Sequence, residues 1–329
     1  MLYFSRKCEK VIFYTAICVL HKSLDFGKGM VINMNSKSDK LFSRISMVIM
    51  LFLSLCCIMP VVLLIMSSIT SENSLMKNGY SLFPKEFGFD AYKYLWYSRA
   101  QILRAYAMTI AATTLGTILN ITITILLAYP LSRKNLPGRN VFAFLIFFTM
   151  LFNGGMIPSY MMWSQTFHIK DTFFALVFPS LLLSGFAVIM VRTFFSLNIP
   201  ENIIEAAMID GASEAKTLWK IVVPMSKPII ATIGLMTALA YWNDWLNGLY
   251  YLTKRTDFYT IQNLLNRLVS SSDFLNNSQA NSIITASIKV PSVGVRMAVA
   301  VIAIIPVLLI YPIFQKGFVK GIVIGGVKG

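Results

Sequence analysis

Two stretches of the 329-residue chain hold residues whose types and spacing could do chemistry. The first, Tyr241-Trp242-Asn243-Asp244-Trp245-Leu246-Asn247, sits inside an otherwise apolar run. Aromatic faces beside amide and carboxyl groups suit a ligand with C–H faces and hydroxyl edges, and polar groups at membrane depth usually face a cavity. An aromatic belt at the membrane surface accounts equally for the Trp and Tyr residues, and a buried carboxylate often serves only an ion pair. Candidate pathway residues are therefore Tyr241, Asn243, Asp244 and Trp245, with structural pairing as the alternative. Asn153 joins them, because Asn153-Gly154-Gly155 with Pro158 weakens regular helix and exposes backbone; a simple kink fits the same residues.

The second stretch runs from Asn198 to Pro224 and is too polar to span a membrane and too patterned to be a linker. Pro200 suits a first helical turn and Glu201 complements the helix dipole, so a short helix is expected from Pro200 to about Ile209. Gly211 then breaks it, and Ser213 caps a second helix with Leu218, Ile221 and Val222 on its apolar face. Ala206 and Asp210 lie four apart, as do Ala207 and Gly211, leaving a stripe of small side chains beside acidic ones. A helix resting on anionic lipid favours Lys and Arg on its polar face, whereas this one carries Glu201, Glu205, Asp210 and Glu214. A socket on another protein fits better.

The elements that must position these residues are membrane spans. Six stretches qualify by length and hydropathy, at 46–68, 106–130, 141–160, 172–192, 229–250 and 295–315. Residues 1–44 are a cytoplasmic extension on this reading, with 1–33 dispensable ahead of Met34, and 316–329 form a glycine-rich tail. Arg133, Lys134 and Arg139 in one short loop, against Lys170 alone in the next, place both termini in the cytoplasm. Along the second span Thr109, Thr113, Thr117, Asn120 and Thr124 share a helix face, a helix–helix seam before it is a pore lining.

Composition agrees and excludes other classes. Hydrophobic residues make up 56% and charged ones 13%, against roughly 25% charged in a soluble domain. The net charge of +15 flanks apolar spans instead of covering a soluble surface, so nucleic acid is not the partner. Cys8, Cys18, Cys56 and Cys57 lack metal-ligand spacing. Convergent His, Cys or carboxylate groups that would mark a membrane enzyme are missing, and no internal repeat points to an ion-coupled secondary transporter.

Glu205-Ala206-Ala207, then Asp210-Gly211-Ala212 and Ile221-Val222-Val223-Pro224, resembles the EAA loop of importer-type ABC permeases. Gly154 to Tyr160, Tyr241 to Trp245 and Phe318 to Gly329 are similar to the MalG-type carbohydrate-uptake permeases, in the branch that includes LplC and YtcP. The resemblance covers about residue 36 onward. It implies an all-α integral membrane protein with the six-helix, type I ABC importer permease fold. Glu205, Ala206, Ala207, Asp210 and Gly211 would then form the coupling helix, within a cytoplasmic loop at 198–227. The implied partners are a second homologous permease, two ATP-binding subunits that hold ATP and Mg, an extracellular or periplasmic solute-binding protein and the lipid of a bacterial inner membrane. No Gly-x-x-x-x-Gly-Lys-Ser/Thr stretch occurs, so this chain is expected to carry no cofactor and no catalysis of its own.

Overall fold

The computed structural model describes residues 37–97, 99–267 and 293–308. The expectations for residues 1–36, for the end of the sixth span and for the 316–329 tail lie outside the described residues. Regular structure among the described residues is helical, and Thr70 with Phe87 forms an isolated bridge. Two compact units divide the chain, one of Met1–Leu95 with Ser287–Val301 and one of Trp96–Ala286 with Ile302–Gly329.

In the first unit α1 (Lys37–Ser68) contains the span Ser43–Ser68, which starts three residues before the expected 46–68 and whose 26 residues reach about 39 Å, enough to cross the hydrocarbon unaided. Ser71 caps α2 (Glu72–Asn78) by accepting the Ser74 N–H at 3.3 Å, and α3 (Asp90–Tyr97) follows. The Glu72 carboxylate accepts the N–H groups of Val293 and Gly294 at 3.1 and 3.0 Å. It thereby caps the last apolar helix, Val293–Leu308, at an end where free donors attract negative charge.

The second unit is built on α4 (Arg99–Ser132), which starts seven residues before the expected second span and is about 51 Å long. After it come α5 (Arg139–Leu151), α6 (Met156–Thr166), α7 (Gly185–Asn198), α8 (Glu201–Ile209), α9 (Glu214–Met225), α10 (Lys227–Trp242) and α11 (Leu246–Tyr251). α4 packs along α10 and α7. Asn120 and Thr124 are buried, and Asn120 bonds Thr237 of α10, so this part of the polar stripe lies in a helix seam; Thr109 is buried too, but its hydroxyl accepts the Ile261 N–H at 3.0 Å.

Three expected spans are not single helices. Between α5 and α6 the axis turns by 109°, where a kink was the expectation. Phe152 is extended, Gly155 has φ +89°, and the Asn153 Oδ1 accepts the Gly155 N–H at 2.9 Å, so the side chain replaces a helical bond. The fifth span breaks at Asn243–Trp245, between α10 and α11. The fourth departs most. Its first half is a 3₁₀ turn at Phe173–Leu176 followed by irregular chain, with Ser180 at φ +65°, and helix begins only at Gly185.

Irregular backbone in an apolar environment persists only where the protein satisfies its polar groups. Here three side chains do so. Tyr241 Oη donates to the Val177 carbonyl at 2.8 Å, Asn247 Nδ2 to that of Pro179 at 2.9 Å, and Asn120 Nδ2 to those of Leu181 and Leu182 at 2.9 and 3.1 Å. The Asn120 Oδ1 accepts the Thr237 hydroxyl at 3.2 Å. The residues that break the fourth span are thus held by polar groups of the second and fifth.

Candidate functional site

The polar loop folds as its residues dictate. α8 begins at Glu201 with Pro200 in an extended conformation at its N-cap, one residue later than expected. At its far end Gly211 takes φ +75°, the Gly211 N–H donates to the Met208 carbonyl at 3.0 Å, and the Ala212 N–H donates to that of Ala207 at 2.9 Å. This pair of bonds is the Schellman arrangement, which needs a left-handed residue at the position Gly211 occupies. Ser213 then caps α9 by accepting the Lys216 N–H at 3.3 Å. α9 widens into a π turn at Leu218–Val222 just before Pro224, whose missing N–H frees a carbonyl.

One side of α8 is anchored and the other is open. Ile204, with Leu218 and Val222 of α9, is buried in a core shared with Ile125, Ala128 and Tyr129 of α4 and Val188, Val191 and Phe195 of α7, and Ala207 is buried as well. Glu205, Ala206 and Asp210 are exposed, as are Met208 and Ile209, the latter 86%. An exposed apolar tip beside small side chains and carboxylates has the chemistry of a docking surface.

Polar bonds fix this element to the helices beneath. Tyr129 Oη donates to the Glu214 carboxylate at the start of α9. Lys134 donates to Glu201 at 2.8 Å and holds that carboxyl below the usual carboxylate range. Sequence reading missed both, since Tyr129 sits in an apolar run and neither pairing is local.

The candidate pathway residues fall into three settings. Tyr241 is only 3% exposed, with its hydroxyl committed to Val177. Asn243, Asp244 and Trp245 are half-buried at the break between α10 and α11. Asn243 Nδ2 donates to the Leu239 carbonyl at 2.8 Å, and the Asp244 Oδ1 accepts the N–H groups of Leu246 and Asn247 at 3.1 and 3.3 Å, capping α11. Asn153 is exposed on the α5–α6 break.

A staple that sequence reading passed over lies in the turn before the 3₁₀ segment. Asp171, at φ +57°, accepts the N–H groups of Thr253, Lys254 and Arg255 at 2.8, 2.8 and 3.3 Å and the Thr253 hydroxyl at 3.1 Å. Burial alone would raise its pKa, but the backbone donors of Lys254, Arg255 and Thr253 outweigh it and hold the carboxyl at about 2. A depressed pKa contributes stability that is present above the unfolded value and lost as pH falls through the folded one. Asp171→Asn is therefore expected to remove protection of the 253–255 amides in hydrogen exchange at neutral pH. Wild-type protein should lose the same protection only between about pH 4 and pH 2. Equal protection in the variant at neutral pH would show that the staple contributes nothing.

Among the described residues, apolar helices long enough to span a membrane and an exposed helix–turn–helix seated on their core define the class as an integral membrane protein. The chain belongs to the family of binding-protein-dependent transport system inner membrane components, whose pattern matches residues 120–324. It is 35% identical over 295 residues to Protein LplC of Bacillus subtilis, covering 90% of this chain and 97% of that one. It is equally 35% identical over 291 residues to the polygalacturonan/rhamnogalacturonan transport system permease protein YtcP of the same organism, covering 88% and 99%. Among solved structures it matches a crystal structure of a bacterial ABC transporter involved in the import of the acidic polysaccharide alginate. The TM-score is 0.71 at 30% identity, over 86% of this chain and 98% of that one. The chain is thus an ABC importer permease, as the loop residues implied, of the MalG-like carbohydrate type that the stretches at 154–160, 241–245 and 318–329 implied.

Proposed function

We propose that this permease imports an oligosaccharide, pairing with a second permease to enclose the pathway and resting on two ATPase subunits that bind ATP and magnesium. A solute-binding protein delivers substrate on the outer face, and both termini lie in the cytoplasm of a bacterial cell. The observation that carries the mechanism is the α8–α9 turn, with Ile209 exposed and Ile204 buried in the same core as α4 and α7. Force applied at Glu205, Ala206, Asp210 and Gly211 reaches the membrane helices through packed side chains and the bonds to Tyr129 and Lys134. ATP-driven closure of the engine then biases the permease between inward- and outward-facing states. The sugar reading is supported by the relatives at 35% identity and by the aromatic and amide groups at the α10–α11 break.

The test is uptake of labelled oligosaccharides by the reconstituted four-subunit complex. ATP-dependent uptake that requires the binding protein is expected. Uptake by this chain alone in liposomes, without an ATPase, overturns the mechanism, and ATP-dependent uptake of a non-sugar solute only overturns the substrate class.

Asn243→Ala and Asp244→Ala address the pathway in the same assay. The expected result is uptake reduced by about tenfold, the loss of one or two hydrogen bonds to substrate, with the complex still assembled. Wild-type uptake in both variants would restrict these side chains to capping α11 and closing α10.

A further inference from the structure

We propose that Arg139 and Arg192 form a binding site for a phosphate-bearing anion, supplied in the membrane by the headgroup of an anionic phospholipid. Arg139 opens α5 and Arg192 lies in α7, yet the Nε of each donates to the same acceptor, the Leu131 carbonyl in the last turn of α4, at 3.0 Å. Two such bonds put the Nε atoms no more than 6.0 Å apart. Capping a helix C-terminus uses one nitrogen of each side chain. The terminal Nη atoms of both make no protein hydrogen bond among the described residues.

No carboxylate among the described residues forms an ion pair with either arginine. Glu201 is held by Lys134 and Glu214 by Tyr129. Both arginines are half-buried, so two guanidinium forks face the same region with reduced access to water and no counter-charge from the described residues. Planar forks of this kind match the oxygens of a phosphate, and an anion between them removes their mutual repulsion. The surroundings fit a lipid as the source. Val141, Phe142 and Leu145, in the two turns after Arg139, are 62%, 53% and 51% exposed and offer an apolar wall for acyl chains below a headgroup.

The experiment is native mass spectrometry of the full transporter after reconstitution in phosphatidylcholine nanodiscs with and without phosphatidylglycerol, followed by release into mild detergent. Wild-type complex is expected to retain phosphatidylglycerol in preference to phosphatidylcholine. Arg139→Gln with Arg192→Gln should lower that retention by about tenfold or more, the loss of charge-assisted hydrogen bonds. Displacement of the lipid by inorganic phosphate in the wild type would identify a site that also takes free phosphate, and resistance to it would identify one that requires the acyl chains; either outcome supports the shared phosphate chemistry. Retention in the wild type that ignores headgroup charge overturns the proposal, and this arm needs no substitution should the double variant not accumulate. Unchanged lipid retention in the variant also overturns it, and if the ATPase dissociates at the same time the pair belongs to a protein contact.

Discussion

Replacing Gly211 by Leu is expected to leave the protein in the membrane at normal amount while ATP-driven uptake falls by roughly five- to thirtyfold. The reason is the backbone. Gly211 has φ +75°, and a side chain built there meets no atom of the described residues within 4 Å beyond its chain neighbours, so they offer no steric objection. A left-handed conformation costs a non-glycine residue about 1–2 kcal/mol, and a cost of that size shifts an equilibrium by roughly 5- to 30-fold. The bonds from Gly211 to Met208 and from Ala212 to Ala207 depend on that conformation, and with them the angle between α8 and α9. Core residues Ile204 and Leu218 on either side of the turn keep both helices seated, so insertion and folding of the spans should persist.

Asn enters the left-handed region more readily than other side chains, so Gly211→Asn separates two causes. If Asn restores most of the uptake, the turn conformation is what coupling needs. If Asn and Leu are equally damaging, the exposed position is closely covered by the ATPase and any side chain obstructs it. Normal uptake in the Leu variant would remove this turn from the mechanism altogether.

The second large effect is expected deep in the membrane, at Gly116. A Cβ there would lie 2.3 Å from Cζ of Tyr241 and 2.5 and 2.6 Å from its Cε atoms, well inside contact distance. The ring cannot move freely, because its hydroxyl holds the Val177 carbonyl in the irregular first half of the fourth span. Gly116→Ala is therefore expected to destabilise the purified complex by about 1–3 kcal/mol, the usual range for overpacking, and to lower the temperature at which it loses its folded, monodisperse state. Tyr241→Ala alone should cost about 3–5 kcal/mol as a large-to-small core change. The double variant has no ring for the added methyl group to strike, so its loss should fall short of the sum by about 1–3 kcal/mol. Additive losses would mean that Gly116 and Tyr241 are not the coupled pair the structure places in contact. Such coupling would also define Tyr241 as a support for the fourth span, a role separable from any contact with substrate.

Sequence alone determined the features that depend on local chemistry and composition. Apolar length marked the first two spans, which form helices long enough to cross a membrane, and the loop from Pro200 to Ser213 carried its own instructions in a proline, a glycine and a capping serine. That is why α8, the Gly211 turn and the start of α9 appear within a residue of their expected positions. Tertiary structure decided where the spans break. The charge-free interval from Asp171 to Arg192 reads as a helix because hydropathy reports solvent preference and is blind to backbone path. The path there follows from Tyr241, Asn247 and Asn120, whose polar groups take over the carbonyls that a helix would have satisfied internally. Those partners lie 61 to 68 residues away in the chain, beyond the reach of any periodicity or local motif. The Leu131 carbonyl repeats the lesson in the last turn of α4: Arg139 is eight residues from it and Arg192 is 61, and only folding brings the two charges to one oxygen.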